Sequence, residues 1–223
     1  MWITWKHQDT DLTWPLSYAQ KVDLFYEQAL GWQLHIADLV ANGGKAFGEE
    51  GDCDGINVNP IRHSGFAVLQ ICLSYFETIG YYTTNASSGK KAFTSGVIQV
   101  FPDLAKLDPV VVTKFIDALY LDARCGLYHN TRTARAILGQ PTGKDAIALA
   151  EERIVISPER LPTYLKAHLS SLRNHLLREE NVDLRATFER RFDKDSGMKQ
   201  TKRQTCLNRL ESKSHKYKRA QRA

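Results

Sequence analysis

Near the middle of this 223-residue chain, in the run Tyr120-Leu121-Asp122-Ala123-Arg124-Cys125-Gly126-Leu127-Tyr128-His129-Asn130, an arginine and a histidine stand five positions apart at the end of an apolar stretch. Both side chains suit phosphate chemistry. Arginine offers phosphate oxygens a permanently charged planar fork, and an imidazole titrates near neutrality and can move protons at working pH. Asp122, Tyr128 and Asn130 supply polar groups beside the pair, suited to orienting it and equally to hydrogen bonding at a helix end. At about 100° per residue, positions 124 and 129 of a continuous helix lie roughly 140° apart. For the two to act together, either the chain breaks or bends at Gly126, where glycine costs a helix about 1 kcal/mol relative to alanine, or a second copy of the chain brings its own pair to the site by two-fold symmetry. The residues alone leave both routes open.

The elements that must position this run are mostly helical. Val22, Phe25, Tyr26, Ala29, Leu30 and Ile36 recur at near-helical spacing between Ser17 and Ala41, and Asn42-Gly43-Gly44 ends that segment. From Phe66 to Tyr82, Phe66, Leu69, Leu73, Phe76 and Gly80 form one stripe and further apolar residues cover most of the rest, so this helix belongs inside. A shorter amphipathic piece runs through Phe93, Val97, Ile98 and Phe101 to Pro102, and a strong helix starts near Pro109, a residue suited to a first turn. The β-prone strings Ala134–Leu138 and Ala146–Leu149, separated by Gly139-Gln140-Pro141-Thr142-Gly143, predict a hairpin, with a third such string at Arg153–Ile156. Ser157-Pro158-Glu159 reads as the start of an amphipathic helix through Leu161, Leu165, His168, Leu172, His175 and Leu176.

Several tempting motifs are set aside. Gly139 to Lys144 is one residue short of a P-loop between its glycines, lacks the following Ser or Thr, and precedes a strand. The acidic loop Glu49–Gly55 lacks the full calcium-loop pattern. His168 and His175 share a helix face without a third ligand nearby, which favours packing over metal binding. Cys53, Cys72, Cys125 and Cys206 form no CxxC pair, so reduced thiols are expected.

The composition, 43% hydrophobic and 25% charged, excludes collagen-like, coiled-coil and wholly disordered chains. Its formal charge of +5 is unevenly spread. Up to Leu184 there are 17 Lys and Arg against 21 Asp and Glu, whereas from Arg185 onward there are 13 against 4. The basic excess therefore sits at the C-terminal end, where apolar residues thin out from Asp193 onward. Residues 193–223 are expected to form a basic, flexible tail that either contacts nucleic acid or another polyanion or stays solvated without a ligand. No basic start followed by an apolar run opens the chain, and the most apolar window, Gly65–Phe76, falls short of the roughly 20 residues of a membrane span. A cytoplasmic protein with no membrane contact is expected. Trp2, Trp5 and Trp14 are expected to cap the core, the alternative being a partner surface.

Arg124-Cys125-Gly126-Leu127-Tyr128-His129-Asn130, after an apolar helix and the Phe66–Tyr82 helix, resembles the Arg, four to six residues, His motif of HEPN-domain proteins. The resemblance covers about Phe66 to Phe192, including the helix through His168 and the segment Leu184-Arg185-Ala186-Thr187-Phe188-Glu189, and it departs from the pattern at Cys125, where active members often carry a polar residue. It implies a mostly α fold: a HEPN-like helical bundle over residues 1–192 with an N-terminal helix and a small β-hairpin insertion. It implies a homodimer whose two motif copies face one cleft. It further implies a metal-independent endoribonuclease without cofactors, acting on RNA in a toxin or defence system, with an antitoxin or another defence partner. Arg124 and His129 would be catalytic, with Tyr128, Asn130 and Asp122 in support. The alternative is a non-catalytic HEPN-like module that binds nucleotide or RNA, or only dimerises; a third reading is a scaffold whose tail binds DNA or a partner.

Overall fold

The computed structural model describes residues 3–47, 55–87, 89–127, 133, 136–141, 145–150 and 153–196. The protein is mostly helical, with two small sheets among the described residues. Helix α1 (Tyr18–Ala29) opens on a reciprocal cap: the Gln20 N–H donates to Ser17 Oγ at 3.3 Å and the Ser17 N–H donates to Gln20 Oε1 at 2.8 Å. The chain then widens into π-helical turns over Leu30–Leu34 and resumes as α2 (His35–Asn42). Gly43, at φ 71°, stops α2 in the left-handed region that glycine tolerates. Strands β1 (Gly44–Lys45) and β2 (Asn57–Val58) pair antiparallel on either side of the acidic loop, of which residues 48–54 lie outside the described residues.

Helix α3 (Gly65–Thr83) is the central element, with Val68, Leu69, Cys72, Leu73, Tyr75, Phe76 and Ile79 all fully buried. Its closest neighbour is α4 (Lys90–Val100), and two glycines set that distance. A Cβ on Gly80 would stand 1.8 Å from the Ala92 carbonyl oxygen, and one on Gly96 would stand 1.8 Å from that of Phe76. Helix α5 (Pro109–Asp117) begins as its sequence predicts, with Pro109 in the first turn and the Asp108 carboxylate accepting from the Val110 N–H at 2.7 Å. Like α1, it passes into π-helical turns, here over Ala118–Cys125.

Strands β3 (Ala136–Leu138), β4 (Ile147–Ala150) and β5 (Arg153–Ile156) form a sheet in the order β3-β5-β4. The expected pairing of the first two strings does not occur. β4 pairs antiparallel with β5, to which it is joined by two residues, and β3 lies parallel to β5 on its other edge. Burial explains the central place of β5: Ile154 and Ile156 are fully buried, whereas Ile137 of β3 and Leu149 of β4 are each about 40% exposed (39% and 44%). The shortest connection in sequence joins the antiparallel pair, and β3 and β4 lie on opposite edges of the sheet.

Helix α6 (Arg160–Leu177) lays Leu161, Leu165, Leu169, Leu172 and Leu176 against the core, with Ser157 Oγ accepting from the Arg160 N–H at 3.2 Å. A further helix, α7, covers residues 182–196. The tail expected to begin at Asp193 is therefore still helical there. Phe188 and Phe192 are buried, and Phe188 meets Phe25, Tyr18 and Tyr82 edge-on or tilted. Lys21, 10% exposed, bonds Glu189 at 2.7 Å and Asp193 at 2.8 Å. Residues 197–223 lie outside the described residues. Of the tryptophans expected to cap the core, Trp5 stacks on Phe47 at 3.9 Å, Trp14 is 38% exposed, and Trp2 lies outside the described residues.

Candidate functional site

Arg124 stands at the end of the π-helical turns, half-buried and facing α3. On a regular α-helix it would lie about 140° round from the fully buried Leu119, on the outward side. Turns closed by i→i+5 bonds, such as the one from the Gly126 N–H to the Leu121 carbonyl, rotate the chain less per residue and bring Arg124 back over α3. There its Nη2 donates to Glu77 Oε2 at 2.5 Å, and its guanidinium lies over the Tyr120 ring at 5.4 Å.

Glu77 is held from both sides. Its other oxygen, Oε1, accepts from the Gly89 N–H at 2.7 Å, where Gly89, at φ 80°, turns the chain into α4. Lys90, the next residue, pairs with Asp117 at 2.7 Å, tying α4 to the end of α5. Glu77 thus links α3, the start of α4 and the Arg124 guanidinium. Burial works against the Arg124 charge, but the Glu77 carboxylate, through charge and hydrogen bond, more than offsets it and holds the guanidinium above its ordinary range. Arg124 is 31% exposed, so its fork is fixed without being sealed from solvent.

Gly126 does not break the helix: at φ −60° and ψ −45° it is helical, and the helix continues through Leu127. Tyr128, His129 and Asn130 lie outside the described residues. Asp122 is half-buried two positions before Arg124, and Cys125, next to Arg124, is also half-buried.

Arg124 borders an open groove of about 680 Å³, walled by α3 and α7 and lined also by Tyr81, Tyr82, Arg191 and Lys194. Glu77 and the two α7 cations were not singled out from sequence. For Glu77 a signal existed: it is the one charged residue in the run from Gly65 to Thr84. For Arg191 and Lys194 none did, because they sit among many basic residues and only the docking of α7 brings two of them to α3.

The histidines of α6 do other work. His168 Nδ1 lies 2.8 Å from the Tyr75 hydroxyl, and burial, helped by the charge of His175, pushes its pKa down to about 4. It is neutral at pH 7 and pairs a hydroxyl that is otherwise fully buried. Among the described residues, no group of three or more His, Cys, Asp or Glu side chains could hold a metal ion, and no helix is long and apolar enough to cross a membrane. No protein-family model, curated protein or solved structure matches this chain.

Proposed function

We propose that this protein is a metal-independent endoribonuclease of the HEPN type, in which Arg124 and His129 act on RNA at the cleft of a homodimer. The observation that carries the reading is Arg124 itself: a guanidinium fixed by Glu77, backed by Tyr120, and left partly open on a groove that also holds Arg191 and Lys194. A fork oriented in advance, at the edge of a low-dielectric core, is what stabilises charge developing on phosphoryl oxygens. The 2′-hydroxyl of the substrate is the nucleophile. Neutral His129 accepts its proton as the 2′-oxygen bonds to phosphorus, and the bond from phosphorus to the 5′-oxygen breaks. His129 of the second copy protonates that leaving oxygen. The products are a 2′,3′-cyclic phosphate and a 5′-hydroxyl end, and DNA, which has no 2′-hydroxyl, is left intact. A role as a toxin or defence RNase under a controlling partner belongs to the same reading.

A second reading has its own support. The Glu77 carboxylate already occupies one Nη of Arg124, which suits a non-catalytic HEPN-like module that binds nucleotide or RNA through the remaining donors. One experiment separates the two: structured and single-stranded RNA incubated with wild type, Arg124→Ala and His129→Ala in excess EDTA. Cleavage by the wild type that falls at least a hundredfold in both variants supports the RNase. Binding without cleavage in all three supports the module, and cleavage unchanged in both variants removes Arg124 and His129 from the site.

A further inference from the structure

We infer that the groove between α3 and α7 binds the phosphate backbone of single-stranded RNA beside Arg124, with Arg191 and Lys194 as its cationic contacts. The inference rests on Arg124 being a phosphate-facing group, as proposed above, and adds the path by which the strand reaches it. Positions 191 and 194 are three apart on α7 and so share a face, the one turned to α3. Arg191 is fixed but not used up. Its guanidinium lies 4.4 Å over the Tyr81 ring and its Nη2 donates to the Ala86 carbonyl at 2.9 Å, while its Nε–H is buried and meets no acceptor among the described residues. A guanidinium has five N–H donors, so this one retains capacity for phosphate oxygens. Lys194 is exposed and makes no hydrogen bond or ion pair among the described residues.

The carboxylates of the groove are both committed. Asp195 accepts from the Tyr82 hydroxyl at 2.8 Å and from that of Tyr81 at 3.2 Å, and Glu77 is shared between Arg124 and the Gly89 N–H. Arg124, Arg191 and Lys194 against Glu77 and Asp195 leave the lining with a net charge of +1, on a body that up to Leu184 carries more acid than base. The α3 wall adds hydroxyls, Ser74 and Thr78, and no exposed aliphatic side chain of the kind that anchors a protein partner. The groove, at about 680 Å³, has the volume of sites that hold a ligand much larger than one phosphate. Beyond the last described turn of α7 the sequence goes on with nine Lys and Arg against the single acid Glu211, so the sign of charge continues along the chain from the groove's edge.

The test uses the full chain and a fluorescein-labelled, fully 2′-O-methylated single-stranded 12-mer, which has no nucleophile and reports binding alone. Affinity is read by anisotropy over a series of salt concentrations. Lys194→Glu should weaken binding about tenfold at low salt, and each lost phosphate contact should reduce the slope of log affinity against log salt by about 0.7. Arg191→Gln should act in the same direction. Lys114→Glu, which reverses a charge on α5 outside the groove, should change affinity less than twofold. The inference is overturned if Lys194→Glu and Arg191→Gln both bind like wild type, if Lys114→Glu loses as much as Lys194→Glu, or if a poly-glutamate peptide binds as tightly as the oligonucleotide. Because the probe is not cleavable, the two readings fail separately. A loss in Lys194→Glu together with RNA cleavage unchanged in Arg124→Ala keeps the groove and removes the active-site assignment.

Discussion

Arg124 of the helix that follows Pro109 and Glu77 of the central helix α3 meet through one hydrogen-bonded ion pair, Nη2 to Oε2 at 2.5 Å, across 47 residues of sequence. Glu77 both orients the fork and competes with phosphate for it, and substitutions separate the two effects. Glu77→Gln keeps an acceptor of the same shape and removes the charge, so RNA affinity should rise a few-fold while cleavage is largely kept. Glu77→Ala releases Arg124 and the Gly89 N–H together. Stability should fall by about 1 to 2 kcal/mol, and cleavage, measured with saturating RNA, should drop at least tenfold. Equal cleavage by wild type and Glu77→Ala would show that Arg124 needs no positioning.

Gly80 and Gly96 each face a backbone carbonyl of the opposite helix at a distance no side chain permits. Gly80→Ala or Gly96→Ala should force α3 and α4 apart and cost about 3 kcal/mol in chemical denaturation. Gly139→Ala, whose Cβ would find ordinary contact with Val155 at 3.5 Å, should cost much less.

His168 makes stability depend on pH in a stated window. Its pKa in the folded protein, about 4, lies below the value of about 6.5 expected for an unfolded chain. The unfolded state therefore takes up the proton first. The contribution of neutral His168 is fully present above about pH 6.5 and is lost as pH falls toward 4, to the extent of about 2 kcal/mol after allowance for partial exposure. Urea titrations at pH 7, 5.5 and 4.5 should show this loss, and His168→Gln should flatten it.

Lys21 anchors α7 through Glu189 and Asp193. Burial lowers its pKa, and the bonds to the two carboxylates more than reverse that, so its folded-state value is raised. That contribution is complete below the pKa of a free lysine and is lost only as pH rises through the folded value, well into the alkaline range. Lys21→Met should cost about 1 kcal/mol at pH 7. Amide hydrogen exchange should quicken along residues 185–196 and stay unchanged in the middle of α3, because α7 would loosen without unfolding the core.

Much of this protein was determined by local pattern. The apolar stripes of α3 and α6, the Pro109 start of α5, the Ser157 start of α6 and the end of α2 at Gly43 all follow from spacing and capping chemistry, which act over a few residues and so are visible in the sequence. Arg124 was legible for the same reason, as a charged fork at the end of an apolar helix. What the tertiary structure decided involves partners far apart in the chain. The π-helical turns that swing Arg124 onto Glu77, the choice of β5 rather than β3 as the partner of β4, and the burial of Phe188 and Phe192 that makes residues 182–196 a packed helix each depend on which surfaces meet. The same holds for the charge. Composition located a basic C-terminal end, but only packing assigned its members: Arg185 lies over Tyr18, Arg190 binds Asn85, and Arg191 and Lys194 join Arg124 in one groove. Long-range contacts form between faces, and a sequence lists residues without saying which faces come together.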